Sequence, residues 1–259
     1  MEMKPFLITV AGSCRHGLNS VDSDVDHRGI GYYPEKELMD YRVETPNVAR
    51  TSTDGVDLEM WYFPHWLQNA VNGNTEFIEP LFSNDVIYSN TRGDFLVNNR
   101  GEFITEALLS QLIRSSGVVH PSETTAWLKG ESSPRKKSSQ LTSAFFSFKN
   151  GDSYSGYKSL ADSIRRLIHA KAVFSRKSNP FQLKYDDVAY LRSVKFGKEP
   201  IGDAVYVRNH LYTELCEMCM VDGVPEPGEN AFSLKTDLPE RISDKDIDSI
   251  VNYMCGWDK

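Results

Sequence analysis

Cysteine is scarce in this sequence, and the scarcity excludes the class of small proteins held together by disulfides. Four cysteines occur among 259 residues, namely Cys14, Cys216, Cys219 and Cys255. Because they are few and scattered, they argue for a reducing compartment, so we expect a cytoplasmic protein. The "CEMC" pair lacks a second CxxC and a nearby HxxxH, which disfavours a zinc site with four ligands.

Long hydrophobic runs are also missing. The longest apolar runs, such as "FLITVAG", are far shorter than the roughly 20 residues that a membrane-spanning helix needs. No charged segment followed by a long apolar stretch opens the chain, so no secretory signal is predicted. Hydrophobic residues still make up 40% of the sequence, which predicts a soluble globular protein without a membrane partner.

An excess of positive charge is the third feature that the sequence lacks. Lysine and arginine number 29 against 36 acidic residues, which gives a net charge of −7 and no overall signature of nucleic-acid binding. Two local basic stretches remain, one at "PRKK" (134–137) and one formed by Arg165, Arg166, Lys171, Arg176 and Lys177. Each is either a nucleic-acid contact or, more commonly, a solvated helix face or charged loop.

The pattern of apolar residues changes along the chain. A short apolar run predicts a buried strand at "PFLITVA", and alternation predicts strands at "DVDHRGIGYY" and "VDLEMWYF". Helical spacing begins at Pro64. Residues 117–156 are polar and irregular, which predicts a linker or mobile loop. From 157 onward, apolar residues three and four apart predict helices. The expected organisation is an α+β core over 1–116, a linker over 117–156 and a helical domain over 157–259.

Acidic residues concentrate in "GSCRHGLNSVDSDVDHRGIGYY" (12–33), where Asp22, Asp24 and Asp26 lie within reach of one another. An Asp-x-Asp pair on a strand presents both carboxylates on one side, about 6 to 7 Å apart. A divalent cation relieves the repulsion between them, and magnesium favours such oxygen ligands together with substrate phosphates. The bland alternative is a solvated strand edge.

Two further features accompany the aspartates. The preceding Gly12 and Ser13 allow close backbone approach and offer a hydroxyl to phosphate oxygens, although a glycine and a serine before a helix are often only a turn. A third carboxylate on a neighbouring strand would ligate a metal and deprotonate an attacking hydroxyl. Asp57 is the first choice and Glu59 the second, and the sequence leaves both open because they share one strand face.

These residues carry a resemblance to a known family. "GSCRHGLNSVDSDVDHRGI" resembles the signature of the polymerase β nucleotidyltransferase superfamily, and it is most similar to the RlaP-type branch, which is associated with RNA repair and also found in phages. The similarity extends to "DLEMWYFPHWLQNAVNGNTEFIEPLF", to "YKSLADSIRRLIHA" and to "SLKTDLPERISDKDIDSIV". Residues 117–156 match least.

The resemblance implies a fold and a set of site residues. The fold class is α+β: a polymerase β-like nucleotidyltransferase core, built as a small mixed sheet with flanking helices, precedes a helical C-terminal domain. The implied roles are magnesium (or manganese) ligation and catalysis by Asp24, Asp26 and Asp57, and nucleotide binding by Gly12, Ser13, Lys158 and Arg165. Arg28 either touches phosphate, braces the acidic cluster or forms a structural salt bridge.

The implied activity is transfer of a nucleoside monophosphate from an NTP to an acceptor hydroxyl, with an RNA (tRNA) end as the expected acceptor, in a bacterial host cell if a phage encodes the chain. Two departures bear on the acceptor: Asp162 stands where the family usually has a histidine, and only His65 is basic in the helix after the acidic strand. The alternatives are transfer to a protein or small molecule, an inactive binding module of the same fold, and a metal-assisted phosphohydrolase.

Overall fold

The computed structural model describes residues 2–21, 23–34, 47–134, 137–226 and 232–256. It divides the chain into two compact units. The first unit comprises Met1–Leu108 and Pro239–Lys259, and the second comprises Leu109–Leu238.

The first unit contains a five-stranded mixed sheet. Its strands are β1 (Lys4–Val10), β2 (Val25–Tyr32), β3 (Val48–Thr53), β4 (Val56–Tyr62) and β5 (Val86–Ser89). The strand order is β3-β4-β2-β1-β5. The pair β2 and β4 is parallel, whereas the other three neighbouring pairs are antiparallel.

Short helices flank this sheet. They are α1 (Gly12–Arg15), α2 (Phe63–Val71), α3 (Thr75–Ile78) and α4 (Thr91–Asn98), with 3-10 turns over Glu79–Phe82 and Arg100–Phe103. Aromatic rings fill the core: Trp61 stacks on Phe77, and Trp66 contacts both Phe63 and Phe103. The indole nitrogen of Trp66 donates to the Phe77 carbonyl at 2.7 Å, so this buried ring leaves no polar group unsatisfied.

Seven further helices follow in the described part of the chain. Five of them follow α5 (Glu106–Ser116): α6 (Pro121–Leu128), α7 (Gln140–Lys149), α8 (Ser153–Phe174), α9 (Tyr185–Lys195) and α10 (Ile201–Cys219). After a long connection, a further helix, α11 (Asp244–Cys255), belongs to the first unit. In the second unit α8 is central, and α7, α9 and α10 pack against it. Its buried side, which includes Leu160, Ile164 and Leu167, follows the helical spacing that the sequence predicts.

The segment 117–156 differs from the predicted linker, because it contains α6, α7 and the start of α8. Its polar residues serve as helix caps: the side chain of His120 accepts from the Ser122 amide at 3.2 Å, and Ser139 forms a capping box with Thr142. The buried residues of α7, such as Leu141 and Phe145, then pack within the second unit. Polar residues that cap short helices have the same composition as a loop, which is why the sequence predicted a linker here.

The boundary of the first unit also differs from the predicted division. It falls within α5 rather than at 116, and residues 239–259 return to the first unit rather than continuing the helical domain. Hydrogen bonds explain the return, since the amides of Glu106 and Ala107 donate to the carbonyls of Pro239 and Glu240 at 2.9 and 3.2 Å. These bonds satisfy amides at the start of α5 that would otherwise lack partners.

Candidate active site

Two of the predicted site aspartates lie side by side in the sheet. In the parallel pairing of β2 with β4, Asp26 is the register partner of Asp57. Adjacent strands are about 5 Å apart, so the two carboxylates leave the same face of the sheet from neighbouring positions. Asp24 precedes β2 by one residue and is exposed. The structure therefore brings together Asp26 and Asp57, with Asp24 next to them along the chain.

The turn after β1 lies against Asp26. The Ala11 amide donates to the Asp26 carbonyl at 2.7 Å. Gly12 has a left-handed φ of +61°, and a Cβ added there would lie 2.1 Å from Oδ2 of Asp26. A side chain at this position would displace the carboxylate, so the residue must be glycine for two independent reasons. Ser13 follows on α1, which brings both residues of the predicted phosphate turn to the aspartates.

In the described part of the chain, the carboxylates of Asp24, Asp26 and Asp57 accept no hydrogen bond from a side chain and form no ion pair. Among the described residues, these three do not form a group whose ligand oxygens all lie within 4.8 Å of one another. They are like-charged groups at the end of the sheet where the two central strands, β2 and β4, begin.

Glu59, the second choice for the third carboxylate, is engaged by three other side chains. Its oxygens accept from Arg50 Nε at 2.8 Å and from Trp61 Nε1 at 2.9 Å, and Arg28 Nη1 lies 4.0 Å away. Partial burial alone would raise the pKa of Glu59, but the bond from Arg50, the charge of Arg28 and the Trp61 bond together lower it. This geometry favours Asp57 as the third carboxylate and agrees with a structural salt bridge for Arg28.

Glu79 is a residue of the site region to which the sequence analysis gave no role. Its carboxylate is hydrogen-bonded to Nε2 of His16 and lies 3.4 Å from Nη1 of Arg15, and all three side chains are largely buried. Arg15 also donates to the Glu79 carbonyl. Glu79 thereby fixes the end of α1, the helix that carries Gly12 and Ser13. The segment "EPLF", which begins with Glu79, is part of the family resemblance, but nothing in the sequence indicates that Glu79 contacts α1.

Lys158 and Arg165, the predicted nucleotide-binding residues, belong to α8 in the second unit. Lys158 is exposed, whereas the side chain of Arg165 is 11% exposed and donates to Asp162 from Nη2 at 2.6 Å. Arg166 binds the other oxygen of Asp162 at 2.9 Å. Burial would raise the pKa of Asp162, but the charges of Arg165 and Arg166 lower it to about 2. Asp162 thus positions two arginines where the family usually has a histidine.

Further cations of the predicted basic stretch are also paired. Lys171 forms an ion pair with Glu214, and Arg176 binds Asp237 at 2.9 Å. In the second stretch, Arg135 and Lys136 lie outside the described residues. Most cations of the basic stretch along α8 are therefore paired with neighbouring carboxylates, which leaves little unpaired positive charge for a nucleic acid.

The CxxC pair of α10 is buried. Burial raises the pKa of Cys216 to about 11 and that of Cys219 to about 12, so both remain thiols at neutral pH. The Cys219 thiol donates to the Leu215 carbonyl. These contacts agree with the expectation that the pair is structural.

Comparison with known proteins agrees with this geometry. The model of the RNA repair pathway DNA polymerase beta family (RlaP) matches residues 3–140, more than half of the chain. A search of curated proteins returns no significant match. One solved structure, the crystal structure of a nucleotidyltransferase-like protein from Exiguobacterium sibiricum 255-15, is 13% identical and covers 83% of this chain and 68% of that one, with a TM-score of 0.28, too low to support an argument.

The fold and the family match define the class of protein, a nucleotidyltransferase of the polymerase β type. Its core is a small mixed sheet in which the acidic positions adjoin a glycine turn, and helices follow the sheet. Within that class, the chain belongs to the RNA repair pathway DNA polymerase beta family. The matched region includes the glycine turn, both strands that carry the aspartates, and Glu79. None of the described helices is long and apolar enough to cross a membrane.

Proposed function

We propose that this chain transfers a nucleoside monophosphate from an NTP to an acceptor hydroxyl with the help of magnesium or manganese, and that the acceptor is an RNA end. The observation that supports the proposal most strongly is the pairing of Asp26 with Asp57 against the backbone of Gly12. Two uncompensated carboxylates at neighbouring positions destabilise each other unless a cation binds between them.

The residues present fit a divalent metal. Asp24, Asp26 and Asp57 offer oxygen ligands, which magnesium and manganese prefer, and they do not make a complete protein cage, so phosphate oxygens can complete the coordination. The space that a Cβ of residue 12 would fill is occupied by the carboxylate of Asp26. When bound, the metal would neutralise charge on the phosphates of the NTP.

The chain's own groups have separate tasks in the transfer. Ser13 and the backbone at Gly12 hold phosphate oxygens of the NTP. Asp57 accepts the proton of the acceptor hydroxyl, whose oxygen bonds to the α-phosphorus. The bond from that phosphorus to the bridging oxygen breaks, and pyrophosphate leaves. Catalysis depends mainly on positioning and on stabilisation of charge.

The remaining side chains of this sheet face support the site. Arg28 and Glu59 are register partners two residues further along the same two strands, and Arg50 on β3 is the register partner of Glu59 on its other side. Alternating charge across neighbouring strands stabilises a sheet face. We infer that this row keeps β2 and β4 in register, so that Asp26 and Asp57 stay opposite each other.

RNA as the acceptor is supported by the family, which is named for an RNA repair pathway. A tRNA end, a cytoplasmic location and a phage origin stay predictions from the sequence. The test is to incubate the purified protein with magnesium and each α-labelled NTP in turn, with and without total tRNA. We expect label in RNA with one preferred base. Label on protein would redirect the acceptor, and no transfer under any condition would contradict the proposal.

A further inference from the structure

Two neighbouring cavities open on α9 and on the segment before it, within the second unit. The first has a volume of about 590 Å³ and is lined by residues 177–179 and 182–185. The second has a volume of about 390 Å³ and is lined by residues between 185 and 198. Tyr185 lines both, so the cavities adjoin. We call this surface the α9 groove. It lies outside residues 3–140, the part that the family match covers.

The α9 groove is positively charged, although the chain as a whole carries −7. Lys177 and Lys184 line the first cavity, Arg192 and Lys198 line the second, and no carboxylate lines either. In the described part of the chain, no ion pair engages the ammonium groups of Lys177, Lys184 or Lys198. Arg165, Arg166 and Lys171 of α8 pair with acids, whereas these three lysines remain available to a polyanion.

Nearby acids do not reverse the charge of this surface. Asp187 turns to the backbone, where one of its oxygens accepts from the Lys184 amide at 3.3 Å. Glu199 accepts from the hydroxyl of Ser193 at 2.7 Å. Both carboxylates lie outside the lining of the two cavities. Asp186, an exposed acid in the first turn of α9, also lies outside this lining. The walls of the two cavities therefore offer only cations and neutral groups to a bound anion.

Aromatic and apolar groups follow the same helix face. Tyr185, Val188, Arg192 and Phe196 are three, four and four residues apart, which places them in one stripe that is about 17 Å long. Tyr185 is 86% exposed, and it lies where the two cavities meet. Cations that follow a groove, interrupted by an exposed ring, are the combination by which proteins bind single-stranded nucleic acid.

We propose that the α9 groove binds single-stranded nucleic acid, with the backbone phosphates on its cations and a base stacked on Tyr185. A duplex keeps its bases inside the helix and has none to offer to Tyr185, and an anionic membrane surface has no ring to stack. The inference rests on the proposed function for one point, the identity of the strand as the acceptor. Binding itself needs no NTP and is measured without one.

The first test concerns charge. A fluorescently labelled single-stranded 12-mer of mixed sequence is titrated with the full chain and with the double variant Lys184→Glu/Lys198→Glu. The matched control is Lys129→Glu/Lys245→Glu, which makes the same change of net charge at exposed positions that do not line the groove. We expect a loss of affinity of at least about tenfold for the groove variant and less than about twofold for the control. Equal losses, or no binding by the wild type, would overturn the inference.

The second test concerns stacking. We expect Tyr185→Ala to weaken single-strand binding by about 5-fold to 100-fold and Tyr185→Phe to preserve it, because the ring and not the hydroxyl makes the contact. Tyr154→Ala, which removes another exposed tyrosine, is the control and should bind as the wild type does. If Tyr185→Ala binds the strand normally, the groove is only a general polyanion surface and the inference is wrong.

The two proposals can fail separately. Groove-dependent binding of a strand that never receives label would support the groove and contradict RNA as the acceptor. Transfer of label to RNA that is unchanged by Lys184→Glu/Lys198→Glu, with no loss of binding, would support the proposed function and overturn the groove. Loss of both binding and transfer only in the groove variant would support both, provided that its thermal unfolding is that of the wild type.

Discussion

At the scale of single residues, Gly12 determines where Asp26 lies. Its left-handed φ and its contact with the Asp26 carboxylate are separable, because Gly55 in the turn before β4 also has a positive φ but has open space where a Cβ would be. The chain therefore contains its own control for the strain of a left-handed residue. Only at Gly12 does a methyl group move a carboxylate of the site.

We predict that Gly12→Ala abolishes most transfer activity. Both Gly12→Ala and Gly55→Ala should lower the free energy of unfolding by about 1–2 kcal/mol, the cost of a left-handed alanine. Displacement of Asp26 should reduce kcat/KM on the order of 100-fold in Gly12→Ala alone. Denaturant unfolding and steady-state kinetics measure the two effects. Equal activity of the two variants would show that the contact with Asp26 is unimportant.

Asp162 lies outside the predicted site, but its carboxylate pairs with Arg165, a predicted nucleotide-binding residue. The two arginines beside this partly buried carboxylate lower its pKa, and the carboxylate in turn holds both arginines in place. The sequence pointed to Asp162 only as a departure from the family pattern. Its pairing with Arg165 and Arg166 at spacings of three and four could be anticipated from helix geometry, but its burial could not.

We predict a stability effect of Asp162→Asn that depends on pH. The pKa of about 2 lies below the ordinary value of 3.8, so the stabilisation is present above about pH 4 and disappears as the pH falls towards 2. Asp162→Asn should therefore lower the free energy of unfolding at pH 7 by about 2 kcal/mol, and the difference from wild type should shrink in acid. Chemical denaturation across this range measures it, with Asp248→Asn as an exposed control. A constant difference would contradict the account.

At the scale of elements, α1 is too short to hold its own conformation and depends on the 3-10 turn that contains Glu79. A helix of four residues gains little from its own hydrogen bonds. The contacts of Glu79 with Arg15 and His16 supply the missing constraint. The short turn after β1 could be predicted from the sequence because glycine and serine follow an apolar run, whereas a partner more than 60 residues away could not.

We predict that Glu79→Ala affects NTP binding as well as stability. Removal of a charged partner from a largely buried arginine and histidine should lower the free energy of unfolding by about 1.5–3 kcal/mol. A looser α1 should also raise the KM for the NTP by about tenfold. Glu76→Ala, an exposed carboxylate on α3, is the control and should change neither. A loss of stability with an unchanged KM would show that Glu79 does not position the turn.

Strands β1, β2 and β4 were predicted at close to their observed bounds, because each alternates or forms a short apolar run. Strands β3 and β5 were missed. The strand β3 reads "VARTST" and is mostly exposed, so it has no apolar alternation; Arg50 and Glu59 stabilise it instead through a cross-strand ion pair. The strand β5 is an exposed edge of four residues, and only its pairing with β1 defines it.

At the scale of the whole molecule, the chain leaves its first unit within α5 and returns to it at Pro239. The sequence predicted the mixed α+β core and the helices after it, and the family match confirms that class. The return of residues 239–259 was not predictable, since the amphipathic pattern of α11 indicates a buried face without indicating what covers it. Phe95 of α4 and Tyr253 stack with ring centroids 3.9 Å apart, and this contact is one of those that hold the returning segment.

We predict that the returning segment stabilises the first unit. Met254 is completely buried on α11, so Met254→Ala should lower the free energy of unfolding by about 2–5 kcal/mol. Lys245→Ala, on the exposed side of the same helix, should change it by less than about 0.5 kcal/mol. Denaturant unfolding compares the two. A small effect of Met254→Ala would mean that α11 contributes little to the first unit.

The central claim is that Asp26 and Asp57 form the transfer site. The most direct measurement is release of pyrophosphate and transfer of α-labelled NTP in magnesium by Asp26→Asn and by Asp57→Asn, compared with Asp54→Asn. Asp54 is an exposed carboxylate in the turn before β4 with a positive φ that asparagine tolerates, so it controls for the loss of one charge. We predict that the first two variants lose at least about 1,000-fold in kcat, about 4 kcal/mol, and that Asp54→Asn keeps wild-type activity. Full activity in Asp26→Asn or Asp57→Asn would contradict the assignment.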